Sequence, residues 1–293
     1  MKMTKCDFKS NGVRCDGDLY LPASVSKPPV VIMAHGLAAQ KNFRIPAYAE
    51  RFVEKNMAAF LFDYRTFGQS DGTPRHIVDP FQHLKDWEAA IRHMRSCPEV
   101  DGSRVALWGS SFSGGHVIAT AAKDDRISAV VSQVPFASGF SSIQMKSLKD
   151  IVLSSVYGVY DGLRKVLSLS PHYSPVIAYP GTFAAMNTEE SYKGYLSIMD
   201  EDTTWENKLA SRVFLTLPLY SPRRCASRVK APTLVMAGKQ DSIIPFKAVE
   251  KMAGRLPKGE LVVMDCNHFD PYTGDMFERF VEKQADFLEK HLA

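Results

Sequence analysis

Six short apolar runs constrain this chain more than any other feature. They are "VVIMAHG" (30–36), "MAAFLFDYR" (57–65), "RVALWG" (104–109), "ISAVVSQVP" (127–135), "APTLVMAGKQD" (231–241) and "GELVVMDC" (259–266). The first is rich in β-branched side chains, and the second ends in polar residues. Runs this short and this continuously apolar suit strands buried on both faces. Strands of that kind run parallel, and parallel neighbours need long crossovers rather than tight turns. The intervening stretches supply them. Residues 44–55 have helical spacing, and 79–97 form an amphipathic pattern with Asp79 as N-cap and Pro80 at the first helical position. Helices are also expected at 113–123, 246–254 and 274–291. The alternation predicts an α/β fold, a mostly parallel sheet with helices on both faces. Asn11-Gly12 adds an antiparallel hairpin at the start.

One segment breaks the alternation. Residues 136–228 hold no clear buried strand, but helical pieces such as "SLKDIVLSSVYGVYDGLRKVL", breaks at Pro171, Pro175 and Pro180, and many Tyr, Phe and Met. The expected organisation is therefore a core made of 1–135 and 229–293, with 136–228 as a helical cap inserted over it.

Composition narrows the function. Of 293 residues, 45% are hydrophobic and 23% charged, an ordinary globular balance. The net charge of +4 is scattered rather than clustered, so no nucleic-acid footprint is expected. Five cysteines, an odd number with no CxxC, argue against a zinc site or a disulfide framework. The N-terminus turns polar before any apolar run and does not read as a signal peptide. No stretch reads as a membrane span. The expectation is a soluble cytoplasmic protein with no metal and no cofactor.

The sharpest local signal is "LWGSSFSGGH" (107–116), a strand running straight into a small-residue turn. A sharp strand-to-helix elbow can hold a serine hydroxyl proud of its surroundings, but it demands small residues two positions either side. Ser110 fails, because Trp108 and Phe112 flank it. Ser111 has Gly109 and Ser113, and Ser113 has Ser111 and Gly115. Ser111 stands directly at the strand's end and is the stronger candidate, with Ser113 its rival.

Together with "MAHGLAAQK", "FDYRTFGQSDG", "MAGKQDSIIP" and "CNHFDPY", that stretch resembles the α/β-hydrolases over essentially the whole chain. Within them it is similar to intracellular hydrolases of the X-prolyl peptidase-type and dienelactone hydrolase-like group, whose fungal relatives include polyketide transferases and thiohydrolases. The resemblance implies a nucleophile at Ser111, with oxyanion donors from the backbone N–H groups of Leu37 and Phe112. It also implies the chain order Ser…Asp…His, which Asp241 and His268 fill after two later strands. Asp265 and Asp270 are rivals to Asp241, but the first still lies on its strand and the second follows the base. His35, Asp63 and Arg65 read as structural, with Gly68 and Gly72 supplying turns. His76, His83 and His93 sit in surface-like contexts.

The cap's Phe136, Phe140, Met145, Tyr160, His172, Phe183, Met186 and Tyr195 are candidate substrate contacts. They point to a moderately hydrophobic acyl ester or thioester as the small-molecule partner. Esterase is the first reading, biosynthetic acyltransferase or thiohydrolase the second, and peptidase the third. A peptidase would want an acidic anchor for a free amine, and Glu189, Glu190, Asp200, Glu201 and Asp202 only weakly suggest one. A non-catalytic ligand-binding protein on the same scaffold is the rival from outside enzymology. A homodimer is expected by analogy alone.

Overall fold

The computed structural model describes residues 1–200 and 203–293. Its N-terminal strands are β1 (Lys2–Lys5), β2 (Phe8–Ser10), β3 (Val13–Cys15) and β4 (Gly17–Leu21). Asn11 and Gly12 take left-handed backbone, φ 48° and 81°, and turn β2 into β3. The hairpin therefore sits where Asn-Gly requires it. Its outer strands β1 and β4 continue it into the main sheet, pairing antiparallel with Lys2 opposite Leu21.

The alternating core follows: β5 (Pro29–Ala34), α1 (Ile45–Glu54), β6 (Ala58–Phe62), α2 (Pro80–Ser96), β7 (Asp101–Ser110), α3 (Phe112–Ala121) and β8 (Ala129–Gln133). Asp79 caps α2 by accepting from Phe81 N and Gln82 N, at 2.9 and 3.2 Å. The intervening segment carries α4 (Gly139–Ile143), α5 (Leu148–Val166), β9 (Tyr173–Ser174), α6 (Glu189–Ser197), β10 (Leu209–Ala210) and α7 (Val213–Thr216). Among the described residues it contributes no strand to the main sheet, and β9 and β10 pair only with each other. The chain closes with β11 (Thr233–Gly238), α8 (Phe246–Ala253), β12 (Gly259–Met264) and α9 (Gly274–Leu292).

The main sheet has eight strands in the order β1-β4-β6-β5-β7-β8-β11-β12. All its pairs are parallel from β6 to β12, and β1 and β4 add an antiparallel edge. Alternate residues of β5 show why the runs are apolar throughout: Val30 and Ile32 enter one core cluster, Val31 and Met33 the other. The chain leaves β5 for β6 on one side and returns to β7 on the other. Strand order reverses there, so the loops after β5 and β7 diverge and leave a crevice at the carboxyl ends of the strands. Those loops carry Leu37 and Ser111.

No helix among the described residues is long and apolar enough to cross a membrane.

Candidate active site

Ser111 stands between β7 and α3 with φ 56° and ψ −116°. A non-glycine residue held there stores roughly 1–3 kcal/mol of strain, retained only where the surroundings enforce it. The surroundings do. A side chain at Gly109 would meet Ser113 O at 2.3 Å, and one at Gly115 would meet Phe136 O at 2.3 Å. Gly36 lies so close that a Cβ there would come within 3.0 Å of Ser111 Cβ. The β5 and β7 loops are thus in contact.

The three serines separate cleanly. Ser110 Oγ lies 2.5 Å from Tyr272 Oη and accepts from Gln133 Nε2 at 3.1 Å. Ser113 Oγ donates to the His35 carbonyl and pairs with Tyr64 Oη. Only Ser111 Oγ meets an imidazole, 3.0 Å from His268 Nε2. His268 Nδ1 lies 2.6 Å from Asp241 Oδ2. Asp241 Oδ1 accepts from the Ile243 and Ile244 amides at 2.8 and 2.7 Å, which fixes the carboxylate's plane. Burial opposes a charge on His268, but the Asp241 carboxylate, with Glu190 behind it, outweighs burial and raises its pKa above the ordinary histidine value. The rivals are engaged elsewhere: Asp265 accepts from Gln240, and Asp270 from Asn267 N.

Leu37 and Phe112 both line the cavity that opens at Ser111. Phe112 is the first residue of α3, where backbone N–H groups have no intrahelical acceptor. The loop carrying Leu37 is held from the inserted segment, since Tyr195 Oη donates to Leu37 O at 2.9 Å and Trp205 Nε1 to Ala38 O at 2.8 Å.

The cavity measures about 190 Å³ and is mainly apolar. Phe136, Met145 and Met186 line it. Tyr195 instead lines a smaller space beside His268 and Phe269. Four expected contacts are corrected. Phe140 points away and is 65% exposed. Tyr160 lies on the outer surface beneath the Arg164 guanidinium. His172 stacks on Tyr157 and bonds Ser211 Oγ at 2.8 Å. Phe183 fills the space between Tyr157 and Phe214. Apolar composition marks a cap's own small core as readily as a ligand wall, and these residues belong to that core or to its outside.

His83 also departs from expectation. It is buried and stacked on Tyr64 at 4.0 Å, with Nδ1 3.3 Å from His116 Nε2. Its α2 position faces the sheet, and burial drives its pKa well down. His35 is buried too, its pKa lowered by desolvation. Asp63 ties loops together, accepting from Lys41 N at 2.7 Å and Gln69 N at 3.2 Å, while Arg65 pairs with Asp86 at 2.6 Å.

Glu190 carries a role that sequence reading missed. From the first turn of α6 it accepts from the His268 amide through one oxygen, and from Ser242 N and Oγ through the other. One cap carboxylate thus spans the loops of both the acid and the base. The Thr188 capping box marks a helix start here, yet nothing in the sequence marks its partner. Among the other acidic cap residues, Glu189 pairs with Lys193 and Asp200 accepts from Asn42. Glu201 and Asp202 lie outside the described residues.

Comparison with known proteins shows the family. Residues 26–266 match the family described as Serine aminopeptidase, S33. The quorum-quenching protein AidA of Acinetobacter baumannii (strain MDR-ZJ06) is 40% identical, over 97% of this chain and 93% of its own. The thiohydrolase aneE of Aspergillus aculeatus is 26% identical, over 97% and 91%. The structure of the α/β-hydrolase GrgF from Penicillium sp. sh18 superposes with a TM-score of 0.85 at 22% identity, covering 100% of this chain and 99% of that one. The chain belongs to the serine aminopeptidase S33 family of α/β-hydrolases.

Proposed function

We propose that the protein is a serine hydrolase that cleaves compact acyl esters or thioesters through an acyl-enzyme. The observation that carries this is the unbroken hydrogen-bonded line Ser111–His268–Asp241, with the neighbouring hydroxyls of Ser110 and Ser113 committed elsewhere. Ser111 Oγ attacks the acyl carbonyl while His268 Nε2 takes its proton. Asp241 holds the Nδ1–H tautomer and stabilises the imidazolium. The amides of Leu37 and Phe112 receive the developing oxyanion, each such donor being worth about 3 kcal/mol of barrier lowering. His268 then returns the proton to the departing alcohol or thiol and activates the water that releases the acid.

The cavity supports a modest acyl group, since 190 Å³ lies below the roughly 300 Å³ at which drug-sized sites begin. Aminopeptidase chemistry is disfavoured by the same lining. Among the described residues it contains no Asp or Glu to hold a free amine, and Lys146 is the one charged residue there. A second reading, thioester cleavage or acyl transfer in place of simple ester hydrolysis, is favoured by the likeness to a thiohydrolase. The likeness to a quorum-quenching protein favours a signal molecule as the acyl donor.

A fluorophosphonate probe followed by peptide mapping tests the nucleophile. Labelling is expected at Ser111 and is abolished by Ser111→Ala; a label that survives the substitution refutes the assignment. Matched ester and thioester panels, with and without alcohol or amine acceptors, then separate hydrolysis from transfer.

A further inference from the structure

Lys146 follows α4 and lines the cavity that contains Ser111 and Phe112. Its Nζ donates to Asn187 Oδ1 at 2.9 Å. The amide of Asn187 is oriented by its other end, which donates to Asp150 Oδ2 at 3.1 Å. Asp150 Oδ2 also takes the Ser147 hydroxyl at 2.8 Å. The lysine is thus held by a neutral amide, and among the described residues it forms no salt bridge with a carboxylate. An ammonium has three donors, and among the described residues one of them is satisfied. Burial pulls the Lys146 pKa below the ordinary lysine value against the opposing pull of Asp150, which marks a cation partly stripped of water. Most of the wall around it is apolar: Ile143, Met145, Ile151, Met186 and Phe214. A desolvated ammonium in such a wall gains most from an incoming anionic oxygen, because charge-assisted hydrogen bonds are the strong ones in a low-dielectric setting.

We propose that Lys146 recognises a carboxylate carried by the acyl group at its end remote from the reacting carbonyl. The preferred substrates are then esters or thioesters of short dicarboxylic acids. This rests on the reading that the cavity at Ser111 receives the acyl group, and it narrows the substrate class for that same site.

The test separates binding from turnover. Ser111→Ala protein is titrated calorimetrically with the monomethyl esters of glutaric, adipic, pimelic and suberic acids, and with methyl esters of matched monocarboxylic acids. At the best-fitting length the anionic ester is expected to bind roughly tenfold tighter than its neutral partner. Adding Lys146→Met is expected to erase that ratio, and Lys146→Arg to keep part of it. Should the Met variant not fold, Lys146→Gln removes the charge while keeping a donor for Asn187. Equal binding of charged and neutral esters at every length overturns the proposal. So does a preference that survives loss of the charge, or an equal gain from a neutral keto ester of matched length. A wrong triad assignment shows itself differently, as the binding preference intact in a protein whose turnover and probe labelling do not depend on Ser111.

Discussion

The helices α5 and α6 come from the same inserted segment and are held in opposite ways. α6 reaches into the site. Glu190 spans the loops of Asp241 and His268, and Tyr195 holds the carbonyl of Leu37. α5 is fastened to the segment itself. Gly158 admits Leu215 of α7 at close range, and buried Asp161 takes the Arg212 backbone and guanidinium and the His172 amide. Ile151, Ser154 and Ser155 of α5 face the cavity, while Leu148, Val152, Val156, Val159 and Leu163 face outward. The contrast assigns different work to the two helices. On the proposed function, α6 would fix where the reacting groups sit and α5 would shape what fits above them.

The sharpest way to break this division is to compare losses of rate. Ser111→Ala sets the scale and is expected to lower kcat about 10⁴-fold or more. Glu190→Gln is expected to lower kcat/KM roughly tenfold and to move its acid limb. His268 must be unprotonated to act as base, so activity rises as pH rises through its pKa. Asp241 and Glu190 raise that pKa over the effect of burial. Removing the Glu190 charge should therefore shift the limb to lower pH. An unmoved limb would mean that Glu190 acts through its hydrogen bonds and not through its charge on His268. Tyr195→Phe removes one hydrogen bond to the Leu37 loop, worth about 1 kcal/mol, and is expected to lower kcat about fivefold with KM little changed. A larger effect on KM would place Tyr195 in binding instead.

The sequence exposes the core because two unrelated requirements converge on the same residues. "VVIMA" is apolar because both faces of β5 are buried, and Gly109 is glycine because Ser113 O occupies the place of its side chain. Each can be read locally. His268 and Asp241 are legible through their position after strands whose order is set by the fold. The cap is different. Phe183 and Met186 look alike in sequence, yet one fills the cap's interior and the other lines the cavity. Glu190 is one of several acidic residues in its neighbourhood, and its importance arises from Ser242 and His268, which only tertiary structure brings to it. Tyr272, which occupies Ser110 Oγ, comes from the far end of the chain with no local sign of that role.

The smallest expected effect is also the cleanest test of the contrast. Val156 lies mid-helix on α5 and is 55% exposed, among outward-facing apolar neighbours at helical spacing. Val156→Lys replaces a β-branched residue with a better helix former and places a charge where solvent already reaches. In the isolated chain its stability should change by no more than about 0.5 kcal/mol, read from urea unfolding midpoints at unchanged slope. kcat and KM should both stay near their starting values, because the side chain faces away from Ile151 and Ser154 on the cavity side. If this substitution instead matched Glu190→Gln in its cost to kcat/KM, then α5 would govern the reacting groups as α6 does. The division between the two helices would then fail.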